Sequence, residues 1–351
     1  MGAFMAVTSS QDTVTDCQTS RYFTSNNSLP KGDTFMRRRS FLLWAPLTAL
    51  AAEFPSAPVK LIHAYPGGLV DNGARALATP LSVRWHQPVV VEPRPGANEL
   101  LASEAVARSA KDGSTLLVAT KTVMANNLFL FDKLRFDPWK ELVPIRELFR
   151  IQFALVVRAE LPVTSLTDFV ALMKKEGARH NYGSSGTGGP LHLAMEGFRR
   201  RAGFEIEHVP YKTIAQVAQD LLGGHVDAVF ISAPFALPFV QSGKLKMLAV
   251  TGPERLRIAP KVPTFAESGY PGTDDSTSVG LLARHGTPAP VLASIGRDAA
   301  AVLRSDEFRQ TFLAPNGLEA SDADAAQYAA SLQARRGTVQ QLFKQLGIQP
   351  Q

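Results

Sequence analysis

The sequence predicts an α/β protein of two lobes, each a mostly parallel sheet flanked by helices. Three observations predict it. From residue 57 onward, short apolar runs alternate with helical stretches, the pattern of βαβ units and of sheets covered on both faces. A glycine-rich turn stands between a strand and a helix twice, at 65–71 and again at 181–190. Two further apolar runs, near 153 and near 279, read as strands that leave the first lobe and return to it, a double hinge. The length of 351 residues suits two domains better than one, and 45% hydrophobic against 19% charged residues can bury real cores.

The first 52 residues stand outside that fold. Residues 1–35 are polar, rich in Ser, Thr and Asn, and without periodicity. Met36-Arg37-Arg38-Arg39-Ser40 then opens a short apolar run, 41–52, containing Ala49-Leu50-Ala51. A charged start, a short apolar core and a small-residue cleavage site make a bacterial signal peptide over 36–52. Arg38-Arg39-Ser40-Phe41-Leu42 also resembles a twin-arginine export signal. On this reading translation starts at Met36, residues 1–35 are an over-called start or a disordered leader, and the mature chain is periplasmic. The alternative is an N-terminal helix of the fold. Removing 1–52 takes away five basic and three acidic residues, so the charge falls from +6 to +4. It also removes Cys17, the one cysteine, which excludes disulfides, cysteine nucleophiles and cysteine metal sites from the mature chain. No other apolar segment reaches the roughly 18 residues of a membrane span, so no stable membrane insertion is expected.

The elements follow in order. Residues 59–62 form a strand, 72–85 a helix, 89–92 a strand, 93–98 a loop, 100–110 a helix and 116–119 a strand. The run 153–157 leaves for the second lobe. There a helix at 166–175 starts behind the caps Thr164 and Ser165. The second glycine turn precedes a helix at 191–202, a strand at 206–210, a helix at 214–222 and a strand at 226–231. A short helix at 234–242 and a strand at 245–250 close that lobe. The run 279–283 returns, and amphipathic helices follow at 288–304 and 323–346, the second broken near Gly337. Lobe 1 is thus 53–152 plus 278–351, and lobe 2 is 153–277.

The glycine turns carry the chemistry. Tyr65-Pro66-Gly67-Gly68-Leu69-Val70-Asp71 joins a strand to a helix start. Two glycines let backbone N–H groups approach a ligand, and the helix start adds unpaired N–H groups and a positive dipole end. Asn181 to Pro190 repeats the logic with Ser184, Ser185, Gly186 and Thr187. Two such seats suggest two lobes closing on one small anion. Ligands of such sheets gather at the carboxyl ends of strands, where Thr120, Lys121, Thr122 and Asn126 also lie.

Other classes fail on their motifs. Neither Ser184 nor Ser185 sits in Gly-x-Ser-x-Gly, and Gly189-Pro190 replaces the Lys-Ser/Thr of a P-loop. Gly186-x-Gly188 lacks the third glycine of a dinucleotide fingerprint, and the seven histidines show no paired metal spacing. No catalytic residue, metal site or cofactor is expected, and His192, one turn into a helix, reads as a core or capping histidine. Arg199-Arg200-Arg201 reads as a solvated helix face, and no aromatic-rich basic stripe points to nucleic acid.

Across about 54 to 348 the chain resembles the periplasmic solute-binding receptors of the tripartite tricarboxylate transporter family, also called Bug receptors. The resemblance rests on Pro66-Gly67-Gly68-x-x-Asp71, on Gln87-Pro88-Val89-Val90-Val91-Glu92-x-Arg94-Pro95-Gly96-Ala97, and on Lys111-Asp112-Gly113-x-Thr115-Leu116-Leu117. It continues through Tyr182-x-Ser184-Ser185-Gly186-x-Gly188, Val209-Pro210-Tyr211-Lys212, Val262-Pro263-Thr264 and Gly286-Thr287-Pro288. It implies a two-lobed periplasmic-binding-protein fold of the Venus-flytrap, type II-like kind, capture of a small carboxylate by domain closure, and delivery to membrane permease subunits by a monomer. A receptor that reports to a signalling partner would use the same lobes. Carried onto this chain, Pro66 to Asp71 serve on one side and Ser184 to Thr187 on the other. Tyr65, Thr120, Lys121, Thr122, His192, Ile231 and Ser232 complete the ligand-binding set expected here. Asp71 is better placed to support the helix start than to touch an anion. The departures bear on the ligand: several relatives carry a Gly-Asn pair near Asn98 to Leu101, and many read Phe-Asp where this chain has Phe230-Ile231. No acid at 231 weakens the case for an α-amino group, and Lys121 is either a contact to a second carboxylate or a solvated loop lysine.

Overall fold

The computed structural model describes residues 54–273, 276–347 and 350. The leader and signal-peptide readings lie outside the described residues. The first part of the chain forms β1 (Val59–His63), α1 (Leu69–Trp85), β2 (Val89–Pro93), α2 (Leu100–Ala107), β3 (Thr115–Thr120), α3 (Asn127–Leu130), α4 (Pro138–Glu141) and β4 (Leu142–Ile151). The middle forms β5 (Phe153–Arg158), α5 (Leu166–Glu176), β6 (Asn181–Ser184), α6 (Pro190–Ala202), β7 (Glu207–Pro210), α7 (Ile214–Leu222), β8 (Ala228–Ser232), α8 (Ala233–Gln241) and β9 (Leu245–Val250). The last part forms β10 (Thr277–Arg284), α9 (Ala289–Leu303), α10 (Asp306–Phe308), β11 (Glu319–Ala320) and α11 (Ala325–Leu346).

Two sheets result. One has the order β11-β4-β10-β3-β1-β2 and the other β7-β6-β8-β5-β9. The chain passes from the first to the second through Gln152 alone, between β4 and β5, and returns between β9 and β10. Each sheet is mixed rather than mostly parallel. The strands of the βα series pair in parallel, β1 with β2 and β3, β6 with β7 and β8. The strands next to the crossings, β4, β5, β9 and β10, pair antiparallel. They pass between sheets without the helical crossover that would set them parallel to a neighbour.

Helices cover both faces of both sheets. In the first, Leu77 and Leu81 of α1 and Ile295 and Ala299 of α9 pack on one face. Val106 of α2 and Tyr328 and Leu332 of α11 pack on the other. In the second, Phe169 and Phe198 of α5 and α6 lie opposite Val217 and Leu221 of α7. Ser165 caps α5, accepting from the Asp168 amide while Asp168 reaches back, so the capping box holds the helix start.

Two departures have physical causes. α11 is not broken at Gly337, because open space surrounds that glycine and an exposed helical glycine costs only about 1 kcal/mol against alanine. β4 escapes a search for apolar runs because Pro144, Arg146, Glu147 and Arg150 interrupt it. Glu147 is nonetheless buried, and accepts from Ser321 Oγ at 2.6 Å and from Arg150 at 3.3 Å.

Candidate functional site: two glycine loops

The first glycine turn leaves β1 and enters α1. Gly67 holds φ +72°, the left-handed region that glycine occupies without strain. Gly68 is the N-cap of α1 in extended conformation and offers no side-chain cap. The turn's own amides are engaged: Gly67 N–H donates to Asp71 Oδ2 at 2.8 Å, and Gly68 N–H to the Tyr65 carbonyl at 3.3 Å. The free amides are therefore those of the first helical turn, at Leu69, Val70 and Asp71. Asp71 is buried, with Oδ1 2.7 Å from Arg75 Nε and 3.3 Å from His63 Nε2. His63 Nδ1 accepts from the Tyr65 amide at 3.2 Å, and burial holds its pKa below the usual histidine value. Asp71 thus ties the turn together, as its place at the helix start leads one to expect.

Behind the turn lies a residue that sequence reasoning misses. Glu99 is 2% exposed. Its Oε1 accepts from Tyr65 Oη at 3.1 Å and from Thr120 Oγ1, and its Oε2 accepts from the Thr120 amide at 2.9 Å. Burial pushes its pKa up to about 7 although the Thr120 and Tyr65 donors favour the anion. The backbone reaches this point through three consecutive non-glycine residues at positive φ, Ala97 at 46°, Asn98 at 47° and Glu99 at 74°. The one signal in the sequence is an acid in a loop directly ahead of an apolar helix.

The loop after β3 packs beneath. Thr120 belongs to Glu99, and the Lys121 ammonium donates to the Ser276 carbonyl on the segment entering β10. Thr122 is buried and accepts amide bonds from Asn126 and Asn127 through its carbonyl, at 3.0 and 3.1 Å.

The second glycine loop repeats the strand-to-helix geometry. Gly189 is the extended N-cap of α6 and Pro190 its first residue. Ser184 is fully buried, and its hydroxyl meets the Gly186 carbonyl at 3.1 Å and His208 Nε2 at 2.7 Å. Ser185, Gly186 and Thr187 are half-buried. His192 Nδ1 accepts from the Gly188 amide at 3.1 Å, the capping role expected of it. Its ring lies 4.2 Å from that of His208, which stacks on Tyr182 at 4.9 Å. Burial holds both histidines at about 4, and the Tyr182 hydroxyl donates to Glu196 at 2.7 Å. The adjacent arginines are not a merely solvated face: Arg199 pairs with Glu196, Arg200 donates to the Gln345 carbonyl at 2.6 Å, and Arg201 to Thr273. Ile231 turns into the core of lobe 2. Ser232, the N-cap of α8, stands opposite Phe153 at the crossing strand.

The two loops meet. Asn98 Nδ2 donates to the Thr187 carbonyl at 3.0 Å, and Asn126 Nδ2 to the Gly188 carbonyl at 3.3 Å. Beside them Leu130, Leu193, Val339 and Phe343 form an apolar seam between α3, α6 and α11. A groove of about 580 Å³ at the C-terminal end of α5, lined by Met173, Lys174, Arg179 and Phe204, shares no residue with either loop. Among the described residues no group of three His, Cys, Asp or Glu is placed to hold a metal ion, and no helix is long and apolar enough to cross a membrane.

Comparison with known proteins gives a consistent picture. Residues 73–348 match the model of the tripartite tricarboxylate transporter family receptor. The protein BugT of Bordetella pertussis is 33% identical over 272 residues, 77% of this chain and 83% of that protein. A solved R. palustris protein with adipate superposes with a TM-score of 0.80 at 30% identity, over 85% of this chain and 100% of its own. MatC from Rhodopseudomonas palustris, with bound malate, superposes with a TM-score of 0.75 at 26% identity, over 82% and 99%.

Proposed function

Because the chain belongs to the tripartite tricarboxylate transporter receptor family, a family of solute-binding receptors and not of enzymes, we propose that it captures a small carboxylate between its two glycine loops by closing one lobe on the other. The observation that carries this reading is the bridge from Asn98 to Thr187: it joins the second glycine loop to the 97–99 loop, whose Glu99 is bonded in turn to Tyr65 at the first glycine turn. The first-turn amides of α1 and α6 supply donors from opposite lobes, and a carboxylate is the ligand that uses both helix dipoles. The half-buried Ser185 and Thr187 add hydroxyl donors at the rim. Adipate and malate, bound by two similar proteins, support a ligand of the small dicarboxylate class.

Ligand contacts to both lobes would shift the population toward the closed form, which is the form a membrane permease would receive. The receptor acts as a monomer in the periplasm, exported by the signal at 36–52, with lobe boundaries at 152 and 277. Micromolar affinity, about 8 kcal/mol, is within reach of several charge-assisted hydrogen bonds offset by binding entropy.

A thermal-shift screen of residues 53–351 against small carboxylates and neutral analogues tests the reading. A ligand at about 100 times its Kd adds roughly 2.7 kcal/mol. A dose-dependent shift confined to carboxylates supports capture. Shifts from the neutral analogues alone, or none from any acid after unfolding and refolding has stripped carried-over ligand, sink it.

A further inference from the structure

We infer that Glu99 couples carboxylate capture to uptake of a proton: the loaded receptor carries Glu99 protonated, and loss of that proton drives the anion out. The inference rests on the carboxylate reading and names a control on the same site. Its ground is position. The Glu99 carboxyl bridges Tyr65, the first residue of the glycine turn, and Thr120, the last residue of β3, from which the next loop starts. Its neighbour Asn98 bonds the second lobe at Thr187. One buried carboxyl therefore stands behind both ligand-facing segments of lobe 1 and beside the point where the lobes join.

The backbone is bent to put it there. Ala97, Asn98 and Glu99 all hold positive φ, a run that L-residues adopt only when the surroundings enforce it. The enforcing bonds are Asn127 Nδ2 to the Asn98 carbonyl at 2.7 Å and Ser103 Oγ to the Glu99 carbonyl at 2.8 Å.

Among the described residues, the groups that act on the ionisation of Glu99 are Thr120 and Tyr65, both neutral donors, and burial outweighs them. Tyr328 approaches from α11 and Glu147 acts on it from β4, and both Tyr65 and Tyr328 are held protonated by burial and by these carboxylates. The Asp71 carboxylate on α1 is already paired with Arg75 and His63. On the carboxylate reading, a ligand at the start of α1 brings a second negative charge toward Glu99, with the Tyr65 side chain between them. Like charges disfavour each other's ionisation, so the anion raises the proton affinity of Glu99, and by reciprocity the proton raises the affinity for the anion. A protonated Glu99 also changes from pure acceptor to donor. A ligand with an ammonium group would show the opposite sign.

Calorimetric titration of the full chain with straight-chain dicarboxylates from malonate to pimelate tests this, between about pH 7 and 9, where these ligands stay fully ionised. Two buffers of different ionisation heat report the protons exchanged. The wild type is expected to take up a proton on binding and to weaken toward tenfold per pH unit as pH rises, the limit for one coupled proton. Glu99→Gln is expected to bind with little pH dependence and no proton uptake. Equal slopes in the two proteins, or wild-type affinity that rises with pH, overturn the coupling while leaving carboxylate capture standing. No binding by either protein overturns both. Should Glu99→Gln fail to fold, the wild-type proton count decides alone: zero protons taken up sinks the proposal.

Discussion

The Gly67 amide donates to Asp71 Oδ2 at 2.8 Å, so the Asp71 carboxylate is spent inside the first glycine turn. Asp71→Ala would leave the Gly67 amide and the exposed Arg75 guanidinium without their acceptor. The expected cost is about 0.5–1.5 kcal/mol of stability, since water can reach the groups left behind, with carboxylate affinity down roughly tenfold as the turn loosens. Asp71→Asn keeps one acceptor and should lose less of both. Urea melts and calorimetric titration of the pair check it, and an Asp71→Ala protein that binds as well as the wild type would show that the turn holds its shape without Asp71.

The two glycines of the turn should respond differently. Gly67 sits at φ +72° with nothing within 4 Å of an added Cβ, so a side chain there meets backbone strain but no clash. Gly67→Ala should cost roughly 1–2 kcal/mol of stability. Gly68 is extended, and the nearest atom to its added Cβ is the Tyr65 carbonyl oxygen at 3.7 Å, ordinary contact. Gly68→Val should keep a near-wild-type melting temperature and still lose carboxylate binding, because the side chain covers the approach to the Leu69 to Asp71 amides. A Gly68→Val protein with unchanged titration removes the first turn from the site.

Much of the fold is legible in local signals of the sequence. Ser165 followed three residues on by Asp168 announces α5, and the apolar run 245–250 matches β9 end to end. Asp71 is legible as a helix-start carboxylate because its place in the first turn fixes what it can reach. The rest depends on contacts distant in sequence. β4 is a strand because β10 and β11 flank it, although its own residues alternate poorly. His208 joins the site through Ser184 and His192, each at least 16 residues away. Glu99 looks like a loop acid in the sequence, since its burial comes from Tyr65 and Thr120 on other segments.

The paired histidines and Glu99 predict opposite responses to acid. His192 and His208 stand at about 4 against an ordinary histidine value of 6.5, burial being the first cause. Above pH 6.5 they are neutral in both states and their contribution is complete. As pH falls from 6.5 toward 4 the unfolded chain takes protons that the folded one refuses, so stability is lost, on the order of 2 kcal/mol per histidine by about pH 5. Glu99, raised from 4.5 to about 7, contributes most at low pH and loses that contribution as pH rises through the same window. Urea midpoints from about pH 4.5 to 7.5 should therefore fall on acidification, less steeply in a His192→Gln/His208→Gln double variant and more steeply in Glu99→Gln. A double variant as acid-sensitive as the wild type would place the acid response elsewhere.

Asn98 separates the energetics of the lobe from those of closure. Its side chain bonds the Thr187 carbonyl at 3.0 Å, but its backbone sits at φ 47°, where asparagine is tolerated and glycine is unstrained. Asn98→Gly therefore removes the inter-lobe bond and relieves the backbone in one step. Unfolding stability should hold or rise slightly, while closure loses a neutral hydrogen bond of about 0.5–1.5 kcal/mol. If that bond biases the free receptor toward the closed form, the ligand-free radius of gyration in small-angle scattering should grow. Apparent affinity should then fall about twofold to tenfold, because the binding-competent fraction divides the intrinsic constant. An Asn98→Gly receptor of unchanged radius and unchanged affinity would mean that the apolar seam of Leu130, Leu193, Val339 and Phe343 holds the lobes by itself. Leu193→Ala would then become the substitution that opens them.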